Sequence, residues 1–121
     1  MTKREIEHRL GAKIRTYVFG PKKHDEGYAD PGQDTIQLWI VNYLALRRLC
    51  SSGRRAKVTW RQGRALYVAC HELGHLNQGN SEVWANDWAY HNIAYVALER
   101  LGLGSHKWAQ VWKVCRAQAL L

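Results

Sequence analysis

The residues best suited to chemistry are His71, Glu72 and His75, in the run Cys70-His-Glu-Leu-Gly-His75. Residues four apart lie on one face of a helix, so the imidazoles of His71 and His75 can grip a single metal ion together. Glu72 is rotated to the side, where its carboxylate can reach a water bound to that ion. This is the spacing with which a zinc site activates water while a glutamate serves as general base. The motif needs a helix, and Leu66, Ala69, Cys70 and Leu73 supply one by forming an apolar stripe along it. A hydrolytic zinc site takes three protein ligands and leaves the fourth position to water. A third ligand must therefore come from outside the motif.

Two known arrangements do not fit. A metzincin places a glycine three residues after the second histidine, a further ligand beyond it, and a methionine turn beneath the metal. Here Gly79 comes one position late and the only methionine is Met1. Peptide deformylase draws a cysteine from a loop motif, and nothing around Cys50 matches it. The segment after the motif is more telling. Glu82-Val-Trp-Ala-Asn86-Asp-Trp-Ala89 reads Glu-x-x-Ala-Asn-x-aromatic-Ala, and over Cys70–Ala89 the chain resembles the ImmA/IrrE family of metallopeptidases. The resemblance implies a gluzincin-like zinc peptidase holding one Zn2+ on His71, His75 and Glu82. It makes Glu72 the catalytic carboxylate and suggests a protein substrate, by analogy a transcriptional repressor. The gap from His75 to Glu82 is shorter than that family usually shows, which calls for a tight turn at Asn77–Asn80. The helix-turn-helix and sensor regions of some members are missing.

Glu82, Asn86 and Ala89 share one helical face, so Asn86 is placed to orient a ligand, while Asp87 and His91 point elsewhere. Turnover of a peptide commonly needs a second electrophile for the carbonyl oxygen. Tyr67, Tyr90 and His91 are the candidates, and the sequence does not rank them.

Around these residues the pattern predicts a single α+β domain over residues 1–121, a short antiparallel sheet packed on a helical core that carries the motif helix. A short amphipathic helix ends at Gly11. A β-rich run follows over Ala12–Phe19, stopped by Gly20-Pro21, then a polar loop over Lys22–Gly27 and turn chemistry at Asp30-Pro31-Gly32. Thr35–Val41 alternates as a strand, expected to pair with the first across that turn and to offer an edge to an extended substrate. A helix over Asn42–Leu49 breaks at Ser51-Ser52-Gly53. The motif helix is expected over Thr59–Gln78, with a stop at Gly79. A long helix capped by Asn80 or Ser81 then runs to Arg100. That helix is apolar nearly all round, which predicts a central, buried position with its stripe Trp84, Trp88, His91 and Tyr95 in the core. Ser105 opens a last helix with Trp108, Val111, Trp112, Cys115 and Ala119 facing inward.

The composition fits a packed soluble domain, with 46% hydrophobic residues and six tryptophans. The start is charged, with no apolar run of leader length, and no stretch reaches the ~20 apolar residues that span a bilayer. Three scattered cysteines, Cys50, Cys70 and Cys115, suit free thiols in the cytoplasm better than a disulfide framework. The net charge is +8, concentrated in segment 47–64, where Arg47, Arg48, Arg54, Arg55, Lys57, Arg61 and Arg64 occur without an acid. Arg54, Arg55, Lys57 and Arg61 are candidate nucleic-acid or partner contacts. This supports an alternative: a basic binding protein whose zinc is structural or vestigial, or a DNA-associated protease similar to the SprT-like enzymes.

Overall fold

A computed structural model gives the fold and describes residues 1–18, 27–30 and 34–121. Helix α1 (Lys3–Leu10) opens on a capping box in which Thr2 and Glu5 satisfy each other's backbone donors. It ends at Gly11, whose φ of 72° is left-handed. Strand β1 (Lys13–Tyr17), strand β2 (Gly27–Asp30) and strand β3 (Thr35–Trp39) form one sheet in the order β1-β3-β2. Helix α2 (Ile40–Ser51) follows β3 directly. Helix α3 (Trp60–Gln78) carries the histidine motif. Then come helix α4 (Glu82–Tyr95), a π-helical turn at Val96–Arg100, and helix α5 (Ser105–Ala117).

The expected antiparallel sheet is not what forms. β1 runs parallel to β3, with Ile14 opposite Ile36 and Thr16 opposite Leu38, and only β2 is antiparallel to β3. The cause is β2 itself, which begins at Gly27, where a polar loop was expected to be ending. With an additional strand between β1 and β3 the chain reverses twice, and the second reversal restores the first direction. The strands on either side of Pro31-Gly32 are thus β2 and β3, not β1 and β3. Residues 19–26 and 31–33, which hold the Gly20-Pro21 stop, most of the polar loop and the tip of the turn, lie outside the described residues. β3 is therefore the middle strand, buried on both faces from Thr35 to Leu38, and has no edge to offer. It also ends at Trp39 rather than Val41, because the chain enters α2 there.

The central helix is α3, not α4. Eleven of its residues from Gly63 to His75 are buried, including the whole stripe Leu66, Ala69, Cys70 and Leu73. It packs against α2, α4, α5 and strands β2 and β3. Two glycines set its spacing. A Cβ on Gly63 would collide with Cγ2 of Val114 on α5, and one on Gly74 would lie 2.8 Å from the Ala85 carbonyl oxygen on α4. Only the small face of α4, Ala85, Ala89 and Ile93, is buried. Trp84 is 61% exposed, with His91 and Tyr95 also exposed and Trp88 only half-buried. The expectation of an aromatic core stripe fails because close helix contact selects small residues, leaving the large ones outside. On α5, Val111 and Cys115 are buried as expected, while Trp108 and Trp112 are only partly so.

Lys107 is 2% exposed, and its ammonium donates to the carbonyls of Leu49 (2.5 Å) and Ser52 (2.8 Å) at the end of α2. Burial pushes its pKa below the usual lysine value. It fastens α5 to α2 by satisfying carbonyls that a helix end leaves without partners. Among the described residues, no helix is long and apolar enough to cross a membrane, and Cys50, Cys70 and Cys115 are free thiols. Burial raises all three, Cys50 and Cys115 to about 11.

Candidate metal centre

The motif sits in the C-terminal half of α3, where the helix is firmly built. Thr59 and Gln62 form a capping box at its start. At its end Gly79 takes φ 85° and ψ −160°, which an L side chain rarely adopts, so the helix stops there. Ser81 then caps α4 by accepting from the Trp84 amide at 3.2 Å. Only Gly79, Asn80 and Ser81 separate the two helices. This short reversal folds the first turn of α4 back over the last turns of α3 and delivers Glu82 to the two histidines.

Donor atoms of His71, Glu72 and His75 all lie within 4.8 Å of one another, and the group can hold a metal ion. Glu82 reaches still closer. One of its carboxylate oxygens is 3.0 Å from His71 Nε2 and the other 2.9 Å from His75 Nε2. The other nitrogen of each ring is already engaged. His75 Nδ1 is 2.9 Å from the Gly79 carbonyl oxygen, and His71 Nδ1 is 2.7 Å from Asn86 Oδ1.

These contacts fix the electronic demand of the site. A backbone carbonyl only accepts, so His75 Nδ1 must carry the proton it shares with Gly79. Its Nε2 then presents a lone pair to a carboxylate oxygen. Tyr67 donates its hydroxyl to the same Asn86 oxygen at 2.8 Å, and His71 Nδ1 likewise has an acceptor to serve. Two imidazole lone pairs facing one carboxylate repel unless positive charge lies between them, either protons or a metal ion. The ring orientations are those that outer partners give to metal-bound histidines.

Glu72 is 3% exposed. Burial, with the nearby Glu82 charge adding to it, pushes its carboxyl up to about 8 in the metal-free chain. The Glu82 side chain is 64% exposed, against 17% and 11% for His71 and His75. The centre therefore opens to solvent on the α4 side.

Of the three candidate electrophiles, Tyr67 belongs to this hydrogen-bond network through Asn86, one turn before His71, and burial raises its phenol above the usual range. Tyr90 is exposed and packs its ring edge-on against His91. His91 lies 3.4 Å from Asp87 on the opposite face of α4 from Glu82, both side chains exposed. Among the candidate polyanion contacts, Arg54, Arg55 and Lys57 are exposed. Arg61 instead stacks its guanidinium over Trp39 and donates to Asn42 Oδ1 at 3.2 Å. Sequence reasoning did not find the Gly79 carbonyl or the contact of Gly74 with Ala85, although a glycine inside the motif was a visible sign of close approach.

Comparison with known protein families, with curated proteins and with solved structures finds no match to this chain. The chemistry of the centre thus rests on its own geometry.

Proposed function

We infer that the chain is a zinc-dependent peptidase, with His71, His75 and Glu82 as metal ligands and Glu72 as general base. The observation that carries this reading is the convergence of both Nε2 atoms on the Glu82 carboxylate, at 3.0 and 2.9 Å, while both Nδ1 atoms are engaged elsewhere. Two imidazoles and a carboxylate are donors of the zinc type, and three of them leave one tetrahedral position open. The resemblance of residues 70–89 to ImmA/IrrE metallopeptidases supports the same ligand set. Zinc held there would lower the pKa of a coordinated water toward ~7 and polarise a substrate carbonyl.

The residues divide the remaining work. Glu72 ionises once positive charge lies beside it, accepts a proton at its carboxylate as the carbonyl is attacked, and returns it to the leaving amine. Asn86 and Gly79 hold the two rings with Nε2 inward. Tyr67 holds Asn86. Among the described residues the outer edge of β2 pairs with no strand, and β2 packs beside α3. That edge, not β3, is where an extended peptide would add as a further strand.

The test is digestion of a mixed peptide library by zinc-loaded wild type, Glu72→Gln and Glu82→Ala, read by mass spectrometry, with X-ray absorption on the loaded protein. Peptide-bond cleavage by wild type alone, with three protein ligands on zinc, is expected. Four protein ligands and no cleavage would make the site structural and refute the peptidase reading.

A further inference from the structure

The basic segment acquires a second half in three dimensions. Residues 35–71 contain no Asp or Glu, and neither do residues 100–121. The fold lays these two acid-free stretches side by side. Arg54 rests against Gly104, within 3.8 Å of where a Cβ would stand, just before α5 begins. Further along, Gln110 of α5 donates to the Ala56 carbonyl at 3.0 Å and accepts from the Val58 amide at 2.9 Å. At the far end Gln118 donates to the Trp60 carbonyl at 3.1 Å and accepts from Arg64. The connection from α2 to α3 therefore runs alongside α5 over its full length, about 20 Å for a helix of 13 residues.

Along this band Arg54, Arg55 and Lys57 project from the connection, and Lys113 and Arg116 from α5, all exposed. No carboxylate among the described residues pairs with any of the five. His106, Gln110 and Lys113 share one face of α5, which puts Lys113 on the flank that meets the connection. Trp60 stands at the end of the band with 55% of its surface exposed. The carboxylates Glu72, Glu82 and Asp87 lie toward the other end of α3, about 20 Å from Trp60 at the rise of a helix.

We propose that this band is a binding surface for single-stranded nucleic acid. Five exposed cations, none paired with a carboxylate among the described residues, match a phosphate backbone, and arginine predominates, the side chain best shaped for phosphate oxygens. The exposed indole of Trp60 offers a stacking face to an unpaired base, which a duplex cannot use. A strand on the band leaves the metal centre open, so the two sites work independently.

The experiment measures fluorescence anisotropy of a labelled oligothymidine against salt, with a duplex of the same length and phosphatidylserine–phosphatidylcholine vesicles as competitors. If the five cations each meet a phosphate, log Kd rises with log salt at a slope of about 3 to 4, or about a hundredfold weakening for a fourfold rise in salt. The triple variant Arg54→Glu/Arg55→Glu/Lys57→Glu loses binding. Trp60→Ala weakens it about tenfold for the single strand. Arg4→Glu/Lys13→Glu/Arg15→Glu, an equal charge change off the band, retains binding, and circular dichroism verifies that each variant is folded. Metal-stripped wild type and Glu72→Gln bind as wild type does, so a failure here is separate from a failure of the peptidase reading. Absence of binding at low salt overturns the proposal. So does equal weakening by the off-band variant, stronger competition by the vesicles, or duplex binding as tight as single-strand binding with Trp60→Ala without effect.

Discussion

Replacing Glu72 by Gln should make the metal-free protein more stable as pH rises, while abolishing hydrolysis by the zinc-loaded one. The buried carboxyl is held at about 8 against an ordinary 4.5. A carboxyl whose folded value lies above its unfolded value contributes its full share of stability below 4.5. That share is lost progressively as pH rises toward 8, because the unfolded chain ionises and the folded one does not. Each pH step in that window lowers wild-type stability by about 1.4 kcal/mol. The deficit reaches about 3 kcal/mol at pH 7 and about 5 kcal/mol above pH 8, where it levels off. Gln has no such ionisation. Burying its amide adds an offset that does not vary with pH, so the slope is the diagnostic quantity.

Urea denaturation of wild type and Glu72→Gln in the presence of a chelator, at intervals from pH 5 to pH 9, reads this difference directly. The gap should widen up to about pH 8 and then stay constant. Saturating zinc should abolish the widening, since positive charge beside Glu72 favours its ionised form. The same variant should bind zinc as tightly as wild type yet lose ~10²–10⁴-fold in cleavage, because an amide cannot take up a proton. A gap that stays flat from pH 5 to pH 8 would show that Glu72 is not held protonated against the metal position, and the reasoning from its burial would be wrong.

Glu82→Ala should lose zinc as completely as His71→Ala in a chelator competition, whereas Asp87→Ala and His91→Ala should keep it, their side chains lying on the opposite face of α4. Gly74→Ala should reduce zinc affinity about tenfold or more without altering any ligand, because a methyl 2.8 Å from the Ala85 carbonyl must push α4, and Glu82 with it, away from α3; unchanged affinity in the same competition would refute this. Lys107→Met should lower stability in urea by ~1–3 kcal/mol, by removing the charged hydrogen bonds that tie α5 to the Leu49 and Ser52 carbonyls, and should leave zinc affinity unchanged.

Most helices were legible in the sequence because their ends carry local chemistry. Gly11 and Gly79 each act within a few residues of themselves, and the helix ends read from them are found in the structure, where Thr2 with Glu5 and Thr59 with Gln62 close the opposite ends by equally local contacts. The sheet was not legible for a related reason. Strand direction depends on how many strands intervene, and β2 spans only Gly27–Asp30, with one glycine, one aspartate and no β-branched residue. Missing that one short strand inverted the sense of β1 relative to β3. The position of α4 was misread through a different route. An all-round apolar pattern reports how much of a helix is able to be buried, whereas what is buried depends on how closely the partner approaches. Gly74 and Ala85 bring α3 and α4 so near that only small residues fit between them, and the tryptophans remain outside.

That same approach explains why the motif was visible from spacing alone, while Glu82 was legible only through the resemblance of residues 70–89. His71 and His75 are a spacing on one helix, set by 3.6 residues per turn, and any reader of the sequence can find them. Glu82 belongs to another helix, and its place at 2.9–3.0 Å from both rings requires three further conditions. The reversal at Gly79 must be short, Gly74 must let α4 in, and each Nδ1 must find an acceptor so that Nε2 turns inward. The first leaves a sequence signal in Gly79 and Ser81, the second in the glycine inside the motif, and the third only in Asn86. The third is met by a main-chain carbonyl and by an asparagine eleven residues beyond His75, held by a tyrosine four residues before His71. Gly79 is thus asked for twice, once as the residue that ends α3 and once as the carbonyl that orients His75, so the turn that delivers Glu82 also prepares one of the rings it meets. A substitution at Gly79 should accordingly disturb the position of Glu82 and the orientation of His75 together, whereas one at Asn86 should disturb His71 alone.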